Sequence, residues 1–189
     1  MSTFPFVPTP EIFTGNPGTV NDPYLTTPSI SGLLNNGARM TPGTRFYQTD
    51  SSGRLLKYRY VRYNPTAAVT LIAGTNVPGV VYWKDNTFTT VTPTASEGIS
   101  TKINQIAGYL LNPNATAGNF VCIQVAGYLS NAVVAAGSAI DDLQIGLATT
   151  PLVTGRTASG NYIPARPVAV TLAAISGNQA PVLVCVEDI

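Results

Sequence analysis

The chain contains no histidine. That single absence removes the commonest general base, the side chain that titrates near neutrality and the most frequent metal ligand. A nucleophilic serine or cysteine therefore has no imidazole to activate it. Charge is scarce as well. Only 10% of residues are Asp, Glu, Lys or Arg, against about 25% in an average globular protein. The net charge of +1 gives no overall pull toward nucleic acid or an anionic membrane. No run of about 18 apolar residues occurs, so no transmembrane helix is expected. Nor does Met1-Ser2-Thr3-Phe4-Pro5 show the basic-then-apolar order of a secretory signal. Cysteine is limited to Cys122 and Cys185, too few for a zinc framework. Each lies in an apolar run, Phe120–Val125 and Val182–Val186, and reads as a buried thiol in a core strand. A disulfide between neighbouring strands is the alternative, which a protein made in the cytoplasm would seldom keep.

The polar residues that are present do not assemble a known chemistry. Asp141-Asp142 and Glu187-Asp188 are adjacent pairs, and in a strand adjacent side chains point to opposite faces. That is poor geometry for sharing a proton or holding a metal. Thr154-Gly-Arg-Thr-Ala-Ser-Gly160 is glycine-rich but lacks the lysine of a phosphate loop and the spacing of a dinucleotide fingerprint. Lys57, Lys84 and Lys102 carry no motif. The expectation is a protein that is not an enzyme and that needs no cofactor or metal.

Two regions differ in texture. Residues 1–40 carry Pro5, Pro8, Pro10, Pro17, Pro23 and Pro28 among scattered aromatics. Proline at that density denies both helix and central strand, so this segment reads as an extended arm. Its aromatics Phe4, Phe6, Phe13 and Tyr24 suit anchors by which the arm lies on a partner or on its own domain, a merely floppy terminus being the alternative. Residues 41–189 read as one β-domain. Arg54–Tyr63, Val69–Ile72, Ile106–Leu111, Asn119–Val125, Leu143–Leu147, Val168–Ala173 and Val182–Val186 are short strand-like runs. Between them stand Gly, Ser, Asn and Pro turns, Thr154-Gly-Arg and Ser176-Gly-Asn included. Val80–Lys84 and Thr87–Thr92 read as a hairpin around Asp85-Asn86. A strand continuing past Asn119–Val125 is expected to kink at Gly127. Residues 96–107 are ambiguous, with isoleucines at helical spacing but weak helix formers between them. Many short strands without a β-helix-β rhythm predict an all-β fold, a compact β-barrel or β-sandwich behind the proline-rich arm. A small echo joins Ile106-Ala-Gly-Tyr-Leu110 to Val125-Ala-Gly-Tyr-Leu129, consistent with two equivalent strands.

One cluster has electrostatic character. Arg39, Arg45, Arg54, Lys57, Arg59 and Arg62 hold more than half of the ten positive charges. In a strand, Tyr58, Tyr60 and Arg62 share one face while Lys57, Arg59, Val61 and Tyr63 share the other. Interleaved tyrosines and cations suit single-stranded nucleic acid. Against that reading, the basic excess is cancelled over the whole chain. A charged strand that meets a protein partner is favoured, with Arg54, Lys57, Arg59 and Arg62 as its contact residues. Trp83, the sole tryptophan, is expected in the core, the alternative being a sugar-stacking face in a carbohydrate-binding module.

The order of the second half adds a comparison. Ile106–Leu110, Thr116-Ala-Gly-Asn-Phe-Val-Cys-Ile-Gln-Val-Ala-Gly-Tyr-Leu129, Val134-Ala-Ala-Gly-Ser-Ala-Ile140 and Arg166-Pro-Val-Ala-Val170 precede a short apolar terminal strand. This order resembles the capsid decoration, or head-stabilising, proteins of tailed bacteriophages, over about residues 78–189. Gly118-Asn119 stands where that family usually has Gly-Asp. The resemblance implies a compact β-domain on the capsid exterior, bound to the major capsid protein lattice, often as a trimer. It also implies a virion location after synthesis in the host cytoplasm. Another virion component (minor capsid, head-fibre base or tail protein) and a nucleic-acid-binding β-barrel using the Arg/Tyr strand are the alternatives.

Overall fold

The computed structural model describes residues 41–66, 78–93, 97–98, 106–111, 115, 117–134, 140, 143–146, 153–155 and 167–186. Among them there is no α-helix. Ten strands run in chain order: β1 (Arg45–Thr49), β2 (Leu55–Tyr63), β3 (Gly79–Trp83), β4 (Thr90–Thr92), β5 (Ile106–Leu110), β6 (Phe120–Val133), β7 (Leu143–Gly146), β8 (Val153–Gly155), β9 (Pro167–Thr171) and β10 (Gln179–Cys185). The fold is all-β, as the short alternating runs predict. The arm with Phe4, Phe6, Phe13 and Tyr24, the run Val69–Ile72 and most of residues 96–107 lie outside the described residues.

The sheet closes on itself. Its order is β1-β2-β4-β3-β5-β6-β10-β9-β7-β8, and β2 also pairs with β6. The closed part is therefore the ring β2-β4-β3-β5-β6. All its pairings are antiparallel except β2 with β4, where Arg62 meets Thr90 and Tyr63 meets Val91 in parallel. Closure removes the exposed edges that short strands otherwise leave open to aggregation. Every strand of the ring contributes to its interior: Val61 and Tyr63, Val81 and Trp83, Val91, Ala107 and Leu110, and Val121, Ile123 and Val125. Strands β9 and β10, with the second half of β6, form a wing that packs on the outside of the ring, and β7 and β8 extend its sheet. There Val182 and Val184 of β10, Val168 and Ala169 of β9, and Ala132 of β6 meet Val80, Tyr82 and Tyr109. The expectation left barrel and sandwich open, and the molecule combines them as a closed barrel with a second layer against its flank.

Strand β6 makes this combination possible. Its first half pairs with β2 from Phe120 to Ala126, and its second half pairs with β10 from Ala126 to Val133. The register shifts where Lys57 faces Ala126 but Tyr58 faces Gln124, a bulge at Val125 that bends and twists the strand. Gln124 is buried, and its amide donates to the Tyr128 carbonyl at 3.0 Å and the Ala126 carbonyl at 3.4 Å. Those bonds offset the cost of burying an amide and hold the bend. Gly127, at φ 98°, completes it. The echoed Ala-Gly-Tyr-Leu motifs thus have a physical basis. Gly108 in β5 also has a positive φ and lies beside a register shift, where Val81 faces Gly108 and Tyr82 faces Ile106.

Turn chemistry fixes the connections. Gly177 and Asn178 both have positive φ, and Ser176 and Gln179 exchange two backbone hydrogen bonds, which is the two-residue turn that suits a twisted hairpin. Asp50 accepts from the Ser52 and Arg54 amides, each at 2.9 Å, and turns β1 into β2. Strand β1 itself escaped the sequence reading, because Arg45-Phe-Tyr-Gln-Thr49 is mostly polar. The β3–β4 hairpin forms, but its loop runs over Lys84–Thr89 instead of two residues. The Asp85 carboxylate accepts from the Thr87 amide at 3.2 Å, the Thr87 hydroxyl at 2.9 Å and the Thr89 amide at 3.2 Å. Those bonds widen the turn and leave Phe88 at φ 56°. Asp85→Ala is expected to cost about 1–2 kcal/mol, because charge-assisted bonds are lost while their donors stay ordered. A lower urea midpoint at unchanged slope would register it. Thr154 and Gly155, read as a turn, pair instead with Ile145 and Gln144 in the short strand β8.

Candidate functional site

The basic cluster lies on β1, β2 and the loop between them. One edge of β2 faces β6, and the other is shared, with β1 along Leu55–Arg59 and β4 at Arg62–Tyr63. The β1–β2 hairpin therefore continues the barrel wall past its mouth. The predicted alternation holds: Val61 and Tyr63 enter the barrel core, while Tyr60 joins Phe120, Cys122 and Phe46 in a cluster drawn from β1, β2 and β6. Tyr60 stacks on Phe120 at 5.7 Å and Phe46 on Tyr58 at 5.3 Å, contacts worth about 1 kcal/mol each beyond burial.

The four cations expected to act together are separated by the fold. Arg59 is buried, and its guanidinium lies 4.8 Å above the Trp83 ring. It is part of the barrel's end and not of an exposed contact set. The alternation allows this because the aliphatic stem continues the inward stripe of Val61 and Tyr63, and the delocalised head tolerates an aromatic face. Arg54 is exposed, bound to Asp50 at 2.7 Å and lying 3.7 Å over the Tyr128 ring. Lys57 lies 5.4 Å over Tyr47. Arg45 and Arg62 are exposed.

Trp83 is buried, edge-on to Phe88 at 5.6 Å and 83°, so the ring is committed to the core. Neither Cys122 nor Cys185 is in a disulfide. Cys122 is buried, and that burial pushes its thiol up to about 12, whereas Cys185 is half-buried. The Lys84 ammonium donates to the Asn64 carbonyl at 2.8 Å and the Thr66 hydroxyl at 2.7 Å. Glu97 accepts from the Thr66 amide and the Thr92 hydroxyl. Partial burial opposes its ionisation, but those bonds and the Lys84 charge hold it below the usual carboxylate range. This network ties chain segments together. Among the described residues, no three His, Cys, Asp or Glu side chains are grouped as metal ligands, and no helix is long and apolar enough to cross a membrane.

The sequence reading did not single out Tyr47, Leu55, Leu172 or Leu183, all large, apolar and exposed. Strand alternation marks which residues share a face, but not which face stays uncovered. No family model matches the chain, and no curated protein or solved structure matches it.

Proposed function

We propose that this protein is a virion structural component that binds the outer surface of an assembled phage capsid and stabilises it. The observation that supports the reading is the β1–β2 hairpin. It runs past a closed, internally packed barrel and holds Arg45, Arg54 and Arg62 at the surface. A low-charge chain with such a hairpin suits a lattice contact made many times over. A ligand that binds only the assembled lattice adds its binding energy to the assembled state, and symmetry-repeated contacts add by multivalency. The major capsid protein lattice is the partner in this reading, and a trimer is the oligomer that fits a threefold position.

The rival nucleic-acid reading is weakened by geometry. Tyr58, Tyr60 and Tyr63, the interleaved rings that would stack on bases, are buried, and Arg54, Lys57 and Arg59 each lie over another aromatic ring of this same chain. The test mixes the purified chain with purified phage capsids that lack it, then pellets and images them. Saturable, stoichiometric binding to expanded shells at one symmetry position is the expected result. Absence of binding to every shell form would overturn the proposal.

A further inference from the structure

The face of the hairpin that carries Lys57 continues across the wing. Tyr47 pairs with Lys57, Lys57 with Ala126, and Ala126 with Cys185. One step along, Leu183 of β10 sits between Tyr128 and Val170. Because side chains alternate, these residues face away from the core built by Leu129, Val182 and Val184. The face is nevertheless apolar. Leu55 is 60% exposed, Tyr47 53%, Leu183 45% and Leu172 41%. Four of the five large hydrophobic side chains exposed among the described residues thus lie on β1, on β2, on β10 or directly after β9. An exposed patch of this kind marks an interaction site.

The same chain supplies an apolar segment that needs cover. Residues 1–40 hold Phe4, Phe6, Phe13 and Tyr24 together with Ile12, Leu25, Ile30, Leu33 and Leu34, and only Glu11, Asp22 and Arg39 are charged. That composition is the reverse of a solvated tail, which combines high charge with few apolar residues. A stretch of about 40 residues cannot build a core of its own without a disulfide or a metal, and this one has neither cysteine nor histidine. Its prolines deny it a helix or a central strand, so its side chains are buried only by lying along a surface. The segment also joins the fold beside the uncovered face. Thr41 follows it directly, the Gly43 amide donates to the Tyr60 carbonyl at 2.6 Å, and β1 begins at Arg45. At about 3.3 Å per residue, Tyr47 lies within about 20 Å of Thr41, and 40 extended residues span about 130 Å. The face itself is only roughly 20 Å across strands β1, β2, β6, β10 and β9. A tether of this kind gives an effective concentration of about 1 mM, which a separate protein must exceed at equal affinity. From this we infer that residues 1–40 dock through their aromatics on the Tyr47–Leu55–Leu183 face of their own chain. The inference does not rest on the capsid reading, because the segment and the face both belong to this chain.

The experiment uses the full chain. In its first part, Leu55 or Leu183 is replaced by p-benzoylphenylalanine, a photo-crosslinking side chain, and the irradiated protein is sized and peptide-mapped. The expected product has the mass of one chain, with the new bond landing within residues 1–40. A product of two-chain mass would identify a second copy as the occupant and overturn the inference. Bonds that land only outside residues 1–40, or no bond from either position, also overturn it. The second part is limited digestion with chymotrypsin, which cuts after Phe13 and Tyr24. Leu55→Asp and Leu183→Asp remove apolar contacts from the face and are expected to speed those two cuts at least about fivefold, because cleavage follows the undocked population. Unchanged emission from the buried Trp83 shows that the barrel of each variant is intact. Equal cutting rates in wild type and in both variants with that emission preserved overturn the inference. Neither part involves a shell, so failure of the capsid reading and failure of this inference are read separately.

Discussion

Gly108→Ala is expected to destabilise the fold by about 3 kcal/mol or more, and Gly127→Ala by a comparable amount. Both glycines adopt backbone conformations that L side chains rarely take, at φ 149° and 98°, which alone costs about 1–2 kcal/mol. Steric overlap adds to this. A β-carbon on Gly108 would stand 2.6 Å from the Gln124 carbonyl oxygen. One on Gly127 would stand 2.8 Å from the Leu55 carbonyl oxygen and 2.9 Å from a Leu56 methyl. Carbonyl oxygens in a hydrogen-bonded ladder cannot rotate away, so the strands themselves must separate. Those strand pairs, β5 with β6 and β2 with β6, are seams of the barrel. Gly53→Ala is the control, because φ is 78° there but nothing lies within 4 Å of the added carbon. It should cost only about 1 kcal/mol. Urea unfolding of the three variants checks this, and similar losses at all three sites would show that backbone conformation alone matters and that the close approaches do not.

The same positions show how much was legible beforehand. The bend at Gly127 could be read because a glycine interrupts an otherwise alternating run. The clash that makes Gly127 necessary could not, because Leu55 comes from a strand far away in sequence. Strand existence was readable from β-branched and aromatic runs, whereas the closure of the ring depends on the parallel β2–β4 and long-range β2–β6 pairings. Neither pairing leaves a local signature. Arg59 illustrates the matching limit at the candidate site. A charged residue in a strand reads as solvent-facing until the fold places Trp83 beneath it. Leu183 is the converse case. A leucine in an apolar run reads as core, yet β10 has only one covered face, and Leu183 lies on the other.

The chain is expected to keep a constant stability from about pH 5 to about pH 8 and then to unfold steeply in strong alkali. Without histidine, no side chain with an ordinary pKa changes charge across that plateau. On the acid side, Asp85 and Glu97 are lowered in the folded state, burial opposing the shift and hydrogen bonds prevailing. Their contribution is present above the unfolded carboxylate values and is lost only as pH falls through the folded ones, below about pH 4. The alkaline limb is larger because its groups are buried. Desolvation pushes Tyr58, Tyr63 and Tyr82 from 10.0 up to about 12, and Cys122 from 9.0 up to about 12. For such acids, the folded pKa lies above the unfolded one. Their stabilisation is complete below the unfolded values and is lost as pH rises toward the folded values. Each group adds a slope of roughly 1 kcal/mol per pH unit, so the four together remove about 4 kcal/mol per unit between pH 10 and 12. Against a total stability on the order of 10 kcal/mol, a loss of about 8 kcal/mol over that window places the transition at its upper end, near pH 12. Circular dichroism and tyrosinate absorbance followed against pH should change together, since the phenols ionise only when the barrel opens. Cys122→Val removes one of the four groups at nearly constant volume and should make the transition shallower and move it to higher pH. Phenols that titrate near pH 10 with the strand signal intact would show that the three tyrosines are reached by water in the folded state.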